Sequence, residues 1–195
     1  MSKPARALVH AGPAETAWPA DAVFTVGHST RPLDEFIALV LAYGVQRIAD
    51  IRTVPRSRRN PQFNAETLGP TLGEAGLGYT PLKTLGGLRH ATKDSPNLGW
   101  RNHSFRGYAD YMQTEGFEAG IAQLIDLSHE RPTAIMCAEA VPWRCHRSLV
   151  ADALLVRGVP AVEILSETTW RLHALTPFAH VEGTRITYPA SASLQ

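Results

Sequence analysis

From Asp21 onward, short apolar runs alternate with longer stretches of helical periodicity, and no other feature constrains the chain as much. An apolar run too brief for a helix reads as a buried strand. Strand, helix and strand in succession form the βαβ unit of a parallel sheet. The pattern predicts an α/β fold, a single domain over residues 21–189 with a mostly parallel central sheet of about five strands flanked by helices. Strands are expected at Ala22 to Gly27, Val45 to Ile51, Gly78 to Leu82, Thr133 to Cys137 and Pro160 to Leu165. Between them, Leu33, Phe36, Ile37, Val40 and Leu41 share one helical face that Gly44 terminates. A short helix is expected over Ala65 to Ala75, and helices over Phe105 to Met112 and Phe117 to Leu127, with Gly116 as the break between them. Cys145 to Arg157 reads as an amphipathic helix stopped by Gly158, with Leu149, Val150, Ala153, Leu154 and Val156 toward the sheet. Thr53 to Phe63 holds two prolines and three arginines and is expected to be an exposed loop. The polar stretch from Arg89 to Ser104 is long for a connection, which marks it as functional or disordered. Trp170 to Pro189 closes the domain as a short helix or a hairpin.

Residues 1–20 show no sustained period and read as a flexible leader, and residues 190–195 as a tail. With 195 residues the chain can bury a core without staples, and its two cysteines exclude a disulfide scaffold. The absence of a long apolar run excludes a membrane span and points to the cytoplasm. A net charge of +1 excludes a strongly basic coat protein for nucleic acid. Yet all but three of the 19 basic residues are Arg, the side chain best suited to grip phosphate and carboxylate with two hydrogen bonds.

Ligands of open parallel sheets bind beyond the carboxyl ends of the strands, so the residues that follow each strand are the first site candidates. His28 and Ser29 follow the first strand, and Arg52 and Arg56 the second. Gly86 and Gly87 lie beyond the third. Cys137 ends the fourth, with Glu139 two positions on, and the connection runs through Arg144 to Cys145, His146 and Arg147 at a predicted helix start. Backbone N–H groups at such a start lower thiol pKa and bind anions.

The segments TVGHST, ADIRTVPRSR, LGGLR and CAEAVPWRCHR resemble the signature stretches of the bacterial family catalogued as domain of unknown function 488. The resemblance runs over roughly Phe24 to Tyr188, with the CAE-to-CHR segment its most specific part. Members of that family carry cysteines at positions matching Cys137 and Cys145, so the resemblance implies an enzyme built on the pair and assigns it no reaction. The order of strand, Asp-x-Arg and a later strand ending in Cys is also similar to the rhodanese arrangement. It departs from that arrangement in the six residues between Cys137 and Arg144 and in the second cysteine.

Three function classes follow. In the first, Cys137 or Cys145 is the nucleophile of a transferase or hydrolase, and His28 or His146 moves a proton. Arg52, Arg144 and Arg147, with Glu139, Arg56 and Ser29, bind a small anionic or nucleotide-like substrate. If one cysteine forms a covalent adduct, the other resolves it as a disulfide. In the second class the chain is a non-catalytic module for nucleic acid or nucleotides. It would use Arg56, Arg58 and Arg59, and the run Arg89, Lys93, Trp100, Arg101, His103, Phe105, Arg106 and Tyr108, where basic and aromatic residues interleave. A partner-binding protein would instead expose Trp100, Trp143 and Trp170. No Gly-x-Gly-x-x-Gly or P-loop pattern appears, so no cofactor is expected. No metal is expected either. Structural zinc ligands usually come in pairs about two to four residues apart, and adjacent Cys145 and His146 at a helix start should point apart.

Overall fold

The computed structural model describes residues 18–190. The expected leader falls outside the described residues except for its last three, and so does all but the first residue of the expected tail. The described chain runs β1 (Val23–Gly27), α1 (Leu33–Ala42), β2 (Arg47–Asp50), α2 (Ala65–Glu74) and β3 (Gly78–Pro81). It continues through α3 (His103–Tyr111), α4 (Glu115–Glu130), β4 (Thr133–Cys137), α5 (Arg147–Leu155) and β5 (Ala161–Ile164), then β6 (Trp170–Leu172), β7 (His180–Glu182) and β8 (Arg185–Thr187).

The central sheet has six strands in the order β3-β2-β4-β1-β5-β6, all parallel except β6, which runs antiparallel to β5. This is the expected α/β class, with one strand beyond the expected five. The segment after Trp170, open at the level of sequence, supplies that edge strand and a separate β7–β8 hairpin.

Side chains alternate across the strands and divide the core in two. Phe24, Val26, Ile48, Ala134 and Met136 pack with Phe36, Leu39 and Val40 of α1 and Leu68 and Leu72 of α2 on one face. Val23, Ala49, Ile51 and Ile135 pack with α3, α4 and α5 on the other. The chain thus leaves β1 for a helix on one face and β4 for a helix on the opposite face. That change of face at the carboxyl ends of two adjacent strands is where open parallel sheets hold their ligands.

Local chemistry sets the boundaries. Gly44 and Gly158, just past α1 and α5, adopt φ of 68° and 76°, which a side chain would disfavour. Gly116 does not break α3 from α4. The Thr114 hydroxyl accepts a hydrogen bond from the Phe117 N–H at 3.3 Å and caps α4 ahead of the glycine, which falls in the first helical turn. α5 begins at Arg147, two residues later than predicted, and is buried on every side from Arg147 to Leu154. The amphipathic reading of α5 misses the segment after β6, which covers its outer face.

That cover is held by charge. Asp152 of α5, fully buried, accepts hydrogen bonds from His173 Nε2 at 2.8 Å, the Tyr188 hydroxyl at 2.8 Å and the Thr176 N–H at 3.0 Å. Glu163 of β5 takes the other ring nitrogen of His173 at 2.8 Å and Arg171 Nε at 2.5 Å. Burial works against a charged ring at His173, but the two carboxylates outweigh it and hold its pKa up to about 9. A folded-state pKa raised above the free value stabilises the fold fully below about pH 6.5, and that contribution is lost as pH rises through about 9. Denaturant unfolding should therefore show stability falling by on the order of 3 kcal/mol between pH 6.5 and pH 10. His173→Ala should abolish that dependence, and an unchanged pH slope in the variant would refute the assignment.

Candidate active site

Three carboxyl-terminal strand ends meet at one edge. Gly27 pairs with Cys137 and Asp50 with Met136. The His28 N–H then donates to the Cys137 carbonyl at 3.0 Å and the Ser29 N–H to the Ala138 carbonyl at 2.9 Å, so the loops after β1 and β4 travel together. Gly27 is required there, because a Cβ would lie 1.9 Å from the Glu139 carbonyl oxygen. Ser29 sits at φ of 52°, a strained backbone at the mouth of the site.

After β4 the chain makes a short turn at Pro142–Arg144, passes Cys145 in extended conformation and enters α5 through His146. This path brings Cys145 and His146 to the same side, contrary to the expectation that they diverge. Both precede the helix, and the extended backbone of Cys145 is followed by a helical turn at His146, so helical side-chain spacing does not apply to the pair. Cys145 Sγ lies 3.7 Å from His146 Nδ1, and the ligating atoms of Cys137, Cys145 and His146 all fall within 4.8 Å of one another.

The three side chains sit at one end of a cavity of about 520 Å³. Ser29, Thr30, Arg59, Asn60, Phe105, Tyr108, Glu139 and Arg144 also line it. Gly87 and Leu88 close over the imidazole; Leu88 has φ of 58° and is 77% exposed. This lip is fixed from below, since the Thr53 hydroxyl donates to the Gly87 carbonyl at 2.7 Å and the Tyr108 hydroxyl to the Leu85 carbonyl at 2.8 Å.

The electrostatics separate the two thiols. The Cys137 thiol, hydrogen-bonding to the Cys145 sulfur, pulls the Cys145 pKa down, and Arg147 adds to this through its backbone N–H and guanidinium; against burial, the value falls to about 6. Cys137 moves the other way, raised by the same hydrogen bond and by burial. The pair therefore gives up one proton easily and holds the second, with the charge on Cys145. Burial lowers the pKa of His146 and keeps its ring neutral.

Several predicted site residues take other places. His28 is buried and stacks on Phe63 with ring centroids 4.1 Å apart. Its Nδ1 donates to the Ser29 carbonyl at 2.8 Å, and Arg52 Nη1 donates to its Nε2 at 3.2 Å. Burial first, then Arg52, brings its pKa down to about 4. Arg52 is spent on Asp50, with Nε 2.8 Å from Oδ1 and Nη2 2.5 Å from Oδ2, and on the Phe63 carbonyl at 2.8 Å. Neither residue lines the cavity. Arg147 has no exposed surface; it holds the Glu139 carbonyl at 2.6 Å and Thr25 Oγ1 at 3.3 Å, and its Nε makes no hydrogen bond among the described residues. Arg147 thus shapes the loop and faces the Cys145 sulfur from behind. Arg56 is exposed and pairs with Glu66. Arg144, Glu139 and Ser29 remain at the cavity.

The basic and aromatic run does not form one surface. Tyr108 is buried, and Arg106 donates to the Trp100 carbonyl at 2.9 Å. Trp100 packs on Phe105, Phe178 and Tyr188, and Trp170 on Trp18, so of the three tryptophans only Trp143 is largely exposed, at 57%. Leu88, Asn60 and Ser104 are cavity residues that sequence reasoning did not single out. The glycine pair before Leu88 and the long polar stretch ending at Ser104 were the available signals. Among the described residues no helix is long and apolar enough to cross a membrane.

Fold and site together define an α/β protein with a cysteine pair and an imidazole at the carboxyl edge of a mostly parallel sheet. The chain belongs to the family described as domain of unknown function DUF488, whose match covers residues 32–154. No curated protein and no solved structure matches it.

Proposed function

We propose that the protein is a cysteine-dependent enzyme acting on a small anionic or nucleotide-like substrate. The observation that carries this reading is the meeting of Cys137, Cys145 and His146 within 4.8 Å at a cavity large enough for a nucleotide-sized ligand. In this scheme Cys145 is the nucleophile. The Ile51 carbonyl, 3.2 Å from His146 Nε2, keeps the ring proton there and leaves Nδ1 as a neutral acceptor at the cavity, placed to move a proton of the substrate. Cys137 hydrogen-bonds the Cys145 thiolate and holds it at the cavity. Arg144 and Arg59, the two cavity arginines, take the anionic group, and Phe105 offers a ring face to an aromatic portion.

Inorganic phosphate and adenosine monophosphate serve as probes. Each should slow iodoacetamide labelling of Cys145 severalfold in the natural chain and leave it unchanged in Arg59→Ala/Arg144→Ala. Labelling indifferent to both anions would remove the anionic-substrate reading.

A further inference from the structure

The donors of the proposed nucleophile site also have the geometry of a metal site. In a tetrahedral zinc centre, with bonds of about 2.3 Å to sulfur and about 2.0 Å to nitrogen, neighbouring ligand atoms stand roughly 3.5 to 3.8 Å apart. Cys145 Sγ and His146 Nδ1 are 3.7 Å apart, and Cys137 completes a triangle with no edge beyond 4.8 Å. Histidine ligands normally give their second ring N–H to a carbonyl or carboxylate, which fixes the tautomer and aims the free electron pair at the metal. The Ile51 carbonyl does this for His146. With the Nε2 proton so placed, Nδ1 presents its electron pair on the side of the Cys145 sulfur, 3.7 Å away.

The surroundings keep the space open. A Cβ at Gly87 would stand 3.0 Å from Nδ1, and the glycine avoids that crowding. Charge is also matched. Two thiolates cancel a divalent ion, and the buried Arg147 beside Cys145 leaves a positive excess that suits a hydroxide or a substrate anion as fourth ligand.

We infer that Cys137, Cys145 and His146 form a three-ligand site for one thiophilic, tetrahedral cation of the zinc class, its fourth position opening on the cavity, and that occupancy masks the Cys145 nucleophile. The ion replaces the thiol protons, which pass to solvent, and no sulfur is oxidised or reduced. The masking rests on the thiolate reading above, whereas the site rests on the donor geometry alone.

The test uses the reduced full chain, stripped by a chelator and titrated anaerobically with Co²⁺ and then Zn²⁺. The expected result is one Co²⁺ per chain, with a sulfur-to-cobalt charge-transfer band and the intense visible absorption of tetrahedral cobalt, both abolished by one equivalent of Zn²⁺. Cys137→Ser and Cys145→Ser should each weaken binding about a hundredfold or more while the circular dichroism of the fold is retained. A weak six-coordinate spectrum, or none, in the natural chain overturns the site. Iodoacetamide labelling of the same samples separates the two readings. Cys145 that labels when stripped and is shielded by Zn²⁺ supports both. Labelling without a cobalt spectrum removes the metal and leaves the nucleophile, and a cobalt spectrum with inert cysteines in the stripped chain does the reverse.

Discussion

Gly27→Ala should destabilise the protein by about 3 kcal/mol and erase the difference in reactivity between the two cysteines. The added methyl would stand 1.9 Å from the Glu139 carbonyl oxygen and 2.9 Å from the Ala140 Cα. Both are backbone atoms, so no side chain can swing aside, and the loop after β4 must move as a body. The displaced Glu139 carbonyl is also the 2.6 Å acceptor for Arg147 Nη2, so moving it leaves a buried guanidinium short of a partner beside Cys145. Urea unfolding gives the first effect and peptide-resolved alkylation the second. An unchanged midpoint with unchanged labelling would mean that Gly27 does not seat this loop.

Asp50→Ala is expected to cost about 3–5 kcal/mol. Asp50 and Arg52 are 1% and 6% exposed, and Asp50 accepts from the Arg52 backbone N–H and guanidinium and from the Tyr79 hydroxyl at 2.8 Å. Removing the carboxylate strands a positive charge that is too enclosed to hydrate. Asp50→Leu/Arg52→Met removes both charges and should recover most of the loss, because desolvation of an intact buried pair offsets much of its attraction. Chemical denaturation of the two variants decides this. If the single variant lost less than the double, Arg52 would be free to turn to solvent or to a ligand, and its place as an internal strut would be wrong.

The sheet and its edge were legible because strands and helices in this chain carry distinct periods. Phe24 and Val26 alternate with Val23 and Thr25 across the sheet, and Phe36, Leu39 and Val40 repeat at helical spacing. The cysteine pair was legible because Cys137 ends an apolar run and Cys145 precedes a helix. What sequence could not assign was which cations serve the fold. Arg52, Arg144 and Arg147 look alike as letters near strand ends, yet only Arg144 reaches the cavity. Asp50 claims Arg52 within its own strand region, and the carbonyls of the Cys137-to-Cys145 loop claim Arg147. His28 was misplaced for a related reason, since its burial against Phe63 depends on a turn at Pro61–Phe63 distant in sequence. The placing of Cys145 beside His146 depends on where α5 begins, which helical periodicity fixes only to within a turn.

Site-resolved alkylation of the chelator-treated protein at pH 7 tests the central claim most directly. Brief exposure to iodoacetamide, followed by peptide mass analysis, should find Cys145 modified severalfold faster than Cys137. Cys145 should also outpace free cysteine under the same conditions, despite its 4% exposure, because the charge of the pair resides on its sulfur. Cys137→Ala, which removes the thiol whose hydrogen bond lowers the Cys145 pKa, should slow that labelling. Two cysteines that react alike and more slowly than free cysteine would contradict the account.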